Sequence, residues 1–242
     1  MASFVLIHGS WHGAWCWFKV EARLRERGHE VIVPDLPAHG RDRTLPGEVT
    51  LEDCVERIVE AMSSAAEPVT LVAHSRGGIP VTAAAEARPD LIGGLVYLAA
   101  FLPRSGENVL DLFPKDTDSL LPPSLDADFD AGWDMLRQEA FEPALYHDCP
   151  AQDVALATAL LTPEPLAPSL APIVTTERFA ALPRAYIELT EDRAVTPAFQ
   201  RYMHSRTPCD PVLCIAASHS AYFSKPDELA DRLEELANAL PR

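Results

Sequence analysis

The chain has 242 residues, 48% of them hydrophobic and 23% charged, which suits one large α/β domain, with or without an insertion, and excludes a disordered polymer. Its formal net charge of −16 comes from 36 acidic and 20 basic residues and argues against nucleic acid as a partner, because a phosphate backbone would be repelled. Five cysteines, at positions 16, 54, 149, 209 and 214, include no C-x-x-C pair, which speaks against a zinc site or a disulfide framework and for reduced thiols in a cytoplasmic protein.

In chain order, "SFVLIH" (3–8) reads as a first strand and not as a signal peptide, because no basic stretch precedes it and it runs into a His-Gly turn. "WCWFKVEARLRERG" follows as a helix closing on Gly28, then the strand "EVIVP". The next helix, "TLEDCVERIVEAMSSAA", opens on Thr50, with Asp53 placed for a capping box. "VTLVAH" is a strand, "GIPVTAAAEARPD" a helix and "IGGLVYLAA" a strand; the longest apolar stretch, "LIGGLVYLAAFL", is too short to span a bilayer as a helix. From Pro103 to about Pro172 the alternation lapses into Pro- and Asp-rich sequence with short helices such as "PAQDVALATALL". This stretch is expected to hold no strands and to form a cap over the carboxyl edge of the sheet. "RAYIELT" and "PVLCIAA" resume the strands, and "KPDELADRLEELANAL" closes the chain as a helix. The expected architecture is α/β, a mostly parallel sheet with helices on both faces, the core formed by 1–102 and 173–242 and the cap by 103–172.

A buried parallel strand can offer a side chain to a substrate only where it ends. The strand "VTLVAH" ends in Ala73-His74-Ser75-Arg76-Gly77, a loosened form of the G-x-S-x-G turn that lifts a nucleophilic serine above the sheet edge. Small neighbours are needed there because strand and helix approach closely. Ser75 also suits an N-cap of the following helix, so other residues must decide.

A serine hydroxyl needs a base, and the base needs an acid to hold its tautomer. With a nucleophile elbow the acid follows a later strand and the histidine follows the last one. Asp192 lies just past "RAYIELT" and His219 just past "PVLCIAA". Glu191 and Asp210 compete with Asp192, although Asp210 precedes its strand and would lie at the wrong edge. The developing oxyanion needs two amide donors; Arg76, after the nucleophile, and Ser10, in the loop His8-Gly9-Ser10-Trp11-His12-Gly13, are the candidates. A glycine turn packed by Trp11, Trp15 and Trp17 is the structural alternative for that loop. His8, His12 and His39 border glycine loops and are expected to bond backbone; His29 and His204 look like surface residues. No histidine pair has the spacing and acidic partner that would suggest zinc. Trp11, Phe101, Trp133 and Tyr146 are candidates for the substrate pocket, as against packing of the cap on the sheet.

These residues resemble the α/β-hydrolase superfamily, and within it the branch of plant methylesterases and hydroxynitrile lyases with bacterial esterase relatives. The likeness runs through "FVLIHGSWHGAWCW", "PDLPAHG", "LVAHSRGG", "LVYLAAFLP", "LYHDCPAQDVALA", "YIELTEDRAVTPAFQ" and "SHSAYFSKPDELADRL". It implies Ser75 as nucleophile, His219 as base, Asp192 as its partner, and the amides of Ser10 and Arg76 as oxyanion donors. The lyases of this branch carry threonine where this chain has Gly9 and lysine where it has Ser220, so the resemblance implies ester hydrolysis. The expectation is a cofactor-free serine carboxylesterase acting on a small-molecule ester, for example a methyl ester, with no membrane partner and a homodimer left open. A C–C lyase on the same triad and a ligand receptor without turnover are the rival readings. The Arg76 side chain is expected either to pair with an acid on its own helix or to face an acidic group of the substrate.

Overall fold

In strand β1 (Ser3–Ile7) every residue is buried, and the pleat divides them. Phe4 and Leu6 enter one hydrophobic cluster, Val5 and Ile7 another. The same division recurs where Val72, Val96 and Ile187 join the first cluster and Leu71, Leu95 and Tyr186 the second. A strand that is apolar on both faces has to lie inside a covered sheet, and this one does.

The computed structural model of the protein describes residues 1–240; residues 241 and 242 of the expected core segment lie outside the described residues. Beside β1, the main sheet contains β2 (Glu30–Ile32), β3 (Val69–His74), β4 (Ile92–Leu98), β8 (Arg184–Leu189) and β9 (Val212–Ile215). The order is β2-β1-β3-β4-β8-β9, and every adjacent pair is parallel. All six expected strands are present, most of them trimmed at one or both ends.

One face is covered by the helices Phe18–Glu26 and Pro226–Ala239, which bury Val20, Leu24, Leu229, Leu233 and Leu236. The other is covered by Leu51–Ser63, Gly78–Ala87 and Pro197–Arg206, through Ile58, Ile79, Val81, Phe199 and Met203. Each such side chain contributes about 2 kcal/mol when fully buried. The capping box at Thr50 forms: Thr50 Oγ1 accepts from the Asp53 amide at 3.2 Å and Asp53 accepts from the Thr50 amide at 2.8 Å. Gly28 takes a φ of +84° beyond the first long helix, a conformation a side chain would strain. The helix Pro197–Arg206 was not among the expected ones, although Thr196 caps it and Pro197 opens it.

The stretch 103–172 departs from expectation, because it does contain strands. Here β5 (Leu125–Asp128), β6 (Trp133–Leu136) and β7 (Glu164–Pro165) form an antiparallel sheet of their own. They escape a pattern search because β5 is Asp-rich and mostly exposed and β7 is two residues long and includes a proline. The β5–β6 hairpin is closed by Asp128, whose carboxylate accepts from the amides of Asp130 and Ala131. Among the described residues, no helix is long and apolar enough to cross a membrane.

Because β1 has β2 on one side and β3 on the other, the chain reverses its winding between β1 and β3. The loops leaving the carboxyl ends of those two strands therefore diverge and open a crevice, the usual place for a ligand in such a sheet.

Candidate active site

Ser75 stands at that crevice. It directly follows β3 with a φ of +54°, in the sparse left-handed region where a side chain is strained, and the chain turns at once into the helix Gly78–Ala87. The turn is closely packed. A Cβ on Gly77 would lie 2.3 Å from the His8 carbonyl oxygen, and one on Gly78 would lie 2.0 Å from that of Phe101. Ala73, in place of the first glycine of the motif, sits fully buried in the second core cluster, and the extra methyl is accommodated.

The loop after β9 carries His219, whose Nε2 lies 2.9 Å from Ser75 Oγ and whose Nδ1 lies 2.7 Å from Asp192 Oδ2. Asp192 follows β8, and its other oxygen accepts from the amides of Ala194 at 2.7 Å and Val195 at 3.0 Å. Those bonds orient the carboxylate, so that Nδ1 of the imidazole donates and Nε2 is left to accept from the hydroxyl. Ser75, Asp192 and His219 are 5%, 3% and 2% exposed, which keeps water from competing for these bonds. Glu191 is exposed, and Asp210 is exposed at the opposite end of the sheet, where its amide donates to Arg184. Behind His219, the His74 ring donates through Nε2 to the His219 carbonyl at 2.9 Å; burial holds its pKa well below the ordinary histidine value, so it is neutral.

The loop after β1 approaches from the other side. A Cβ on Gly9 would lie 2.6 Å from the Cβ of Ser75, so glycine is required there by proximity. The left-handed residue of this loop is Trp11, with φ +63°, and neither of its glycines. The amide N–H of Ser10, in a residue 5% exposed, donates to no acceptor among the described residues. A buried donor left open is costly unless something is to bind it. The Arg76 amide lies in the first turn of its helix, where no intrahelical acceptor is available.

His8, His12 and His39 each donate through Nδ1 to a backbone carbonyl, of Gly9, Ser10 and Pro37 respectively. His12 also accepts through Nε2 from the hydroxyls of Tyr146 at 2.7 Å and Tyr222 at 3.0 Å, and burial lowers its pKa to about 3. It ties the Ser10 loop to the insertion and to the segment after His219. His29 and His204 are partly buried and bonded to Glu234 and Glu188, so neither is the plain surface residue expected.

The Arg76 side chain takes neither of the expected paths. It crosses to the inserted sheet, where Nη1 donates to Asp134 Oδ2 at 2.6 Å, both side chains being buried. Asp134 and its neighbour Glu164 were not anticipated from sequence; their partners in the core are 58 to 153 residues distant, and no local pattern marks them. Of the aromatic candidates, Trp11, Phe101 and Tyr146 are buried in the two hydrophobic clusters. Phe101 packs on Phe113 and Phe199, and Trp133 is half-buried on β6. Chemically, the arrangement can pass a proton from Ser75 Oγ to His219 Nε2.

Residues 4–232 match the model of the alpha/beta hydrolase family. The chain is 34% identical to Methylesterase 9 of Arabidopsis thaliana over the full length of both proteins. It is 36% identical to salicylic acid-binding protein 2 of Nicotiana tabacum, with 97% of this chain and 96% of that one covered. Among solved structures, that of polyneuridine aldehyde esterase superposes with a TM-score of 0.88 at 28% identity, covering 98% of this chain and 99% of the other.

Proposed function

The chain belongs to the alpha/beta hydrolase family, and from that membership we propose that it is a serine carboxylesterase cleaving a methyl ester of a small carboxylic acid through Ser75, His219 and Asp192. The observation that carries the assignment of roles is the unbroken relay from Ser75 Oγ through the imidazole to Asp192, with contacts of 2.9 and 2.7 Å.

Ser75 Oγ attacks the ester carbonyl while its proton passes to His219 Nε2; the C–O π bond opens and its electron pair becomes the oxyanion. The amides of Ser10 and Arg76 hold that oxyanion, and the carboxylate of Asp192 stabilises the imidazolium. Collapse expels the alkoxide, which takes the proton from His219 and leaves as methanol. Water, deprotonated by the same imidazole, then releases the acid and restores Ser75. No step needs a cofactor. Trp11, Phe101, Trp133 and Tyr146 enter this reading as walls of the acyl site, the first, second and fourth held rigid by their burial.

Two features support hydrolysis over the lyase chemistry of related enzymes. Ser220 follows the histidine, and its hydroxyl donates to Tyr222 at 3.1 Å, so no cation stands there to hold cyanide. A threonine at position 9 would collide with Ser75 as the chain is built. A panel of methyl, ethyl and p-nitrophenyl esters of aliphatic and aromatic acids tests the reading. Turnover abolished by Ser75→Ala is the expected result; cyanide release from cyanohydrins without ester turnover would replace it with a lyase.

A further inference from the structure

We propose that Asp134 and Glu164, the two facing carboxylates of the inserted sheet, are positioning residues for the reaction at Ser75, holding the Ser10 and Arg76 amides in place through Trp11 and the Arg76 guanidinium. The inference rests on the oxyanion role given to those amides above.

Trp11 immediately follows Ser10, so whatever fixes the backbone of Trp11 fixes the direction of the peptide that carries the donor. Three bonds do so, and all come from the insertion. Its amide donates to Glu164 Oε2 at 3.0 Å, its carbonyl accepts from the Thr162 amide at 2.9 Å, and its indole donates to Asp134 Oδ1 at 2.9 Å. A bulky residue at φ +63° persists only where its surroundings over-determine it. Without the three bonds the turn would relax, and the Ser10 N–H with it.

The second oxygen of Asp134 accepts from Arg76 Nη1 at 2.6 Å, and the guanidinium lies 5.7 Å from the centre of the Trp11 ring. One carboxylate thus bridges the residue beside the first donor and the residue that carries the second. Both donors are referenced to the same rigid strand pair.

The charges within this clasp are matched. Asp134 and Glu164 are directly opposed in the β6–β7 register, an arrangement that like charges would normally oppose. Arg76 neutralises one of them. His39 faces the other, with Nε2 3.0 Å from Glu164 and Nδ1 2.9 Å from the Pro37 carbonyl. With an acceptor at each nitrogen, that ring is the doubly protonated cation. Two anions and two cations therefore close the joint between insertion and core. A buried pair of this kind adds little to stability compared with apolar packing, and its best use is to select one geometry.

The test uses three variants of the full chain: Trp11→Phe, which removes the indole N–H together with the pyrrole ring, Asp134→Asn and Glu164→Gln. For each, kcat and KM are measured on the best methyl ester of the panel. So are the inhibition constants of a trifluoromethyl ketone, which forms a tetrahedral adduct with the serine, and of the product acid. Misdirected donors should lower kcat on the order of 10- to 100-fold and weaken the ketone by a similar factor, while in the two charge variants, which leave the acyl-site walls unchanged, KM and product affinity stay within about threefold. Trp11→Phe keeps the inference testable if a charge variant fails to fold. Parental kcat and ketone affinity in the folded variants would overturn it, as would parallel losses in KM and product binding in the charge variants, which mark a distorted pocket. A parent that hydrolyses no ester and forms no ketone adduct would sink the esterase reading itself; an active parent with indifferent variants would sink this inference alone.

Discussion

The imidazole of His219 and the hydroxyl of Ser75 are 144 positions apart in the chain and 2.9 Å apart in the fold. The proximity follows from parallel strands, which put the carboxyl ends of β3 and β9 on one rim, and from loops short enough that neither residue strays from it. If the contact is the proton path proposed here, Ser75→Ala and His219→Ala should each lower kcat/KM by a factor on the order of 10³ or more. Unchanged far-ultraviolet circular dichroism would show that both remain folded. Near-parental turnover in either would mean that the nucleophile or the base lies elsewhere.

Asp192 accepts from His219 and from two amides, so Asp192→Asn leaves the shape but presents the wrong partner to Nδ1. A loss on the order of 10⁴ in kcat is expected from the equivalent change in a serine triad. Asp210→Asn, at the far edge of the sheet, should leave kcat unaltered. Steady-state kinetics on the two variants would transfer the acid role if the order of effects were reversed.

Gly9 and Gly28 separate two reasons for glycine. At Gly9 an added methyl would meet Ser75 Cβ at 2.6 Å, so Gly9→Ala must displace Ser75, the proposed nucleophile. A displacement of that size should lower kcat/KM on the order of 10²-fold. At Gly28 nothing lies within 4 Å, but φ is +84°; Gly28→Ala should lose about 1 kcal/mol of stability with kinetics unchanged. An active Gly9→Ala enzyme would show that the elbow is looser than its packing indicates.

Stability should fall on both sides of neutrality. Burial lowers the pKa of His8 to about 4 and of His12 to about 3, and that of His74 well below 6.5. The unfolded chain therefore binds protons that the native one refuses, and each pH unit below 6.5 removes up to about 1.4 kcal/mol per ring. His39 is the opposite case. Burial disfavours its charge, but the Glu164 carboxylate outweighs burial and raises its pKa, so its contribution is complete below 6.5 and is lost as pH rises through the native value. Glu164, against burial but beside His39, is held down at about 2 and stays ionised throughout this range. The thermal midpoint recorded against pH should show both limbs, and His39→Gln should flatten the alkaline one; an identical alkaline limb would remove His39 from this account.

Much of the core was readable because its signals are local. Short continuous apolar runs, hydrophobic on both faces, specify buried strands, and Thr50 with Asp53 specifies a helix start within four residues. Ala73 to Gly77 specifies a strand-to-helix turn with a serine at its apex. The inserted strands left no comparable trace. Glu164 and Pro165 are too few for any periodicity, and the aspartates of β5 suppress its strand character while they stay exposed.

The sequence by itself determined a doubly covered parallel sheet and the order in which serine, aspartate and histidine leave its strands, because hydrophobic periodicity and turn chemistry act over a few residues. Only the tertiary structure decided that Trp11 would carry the strained turn and that the Arg76 guanidinium would reach into the inserted sheet. It alone set Asp134 beside Glu164 with His39 as counter-charge. The contacts of Asp134 and Glu164 with Trp11, His39 and Arg76 join residues 58 to 153 positions apart, and a burial-dependent charge balance exists only once the surfaces that exclude water have closed around it.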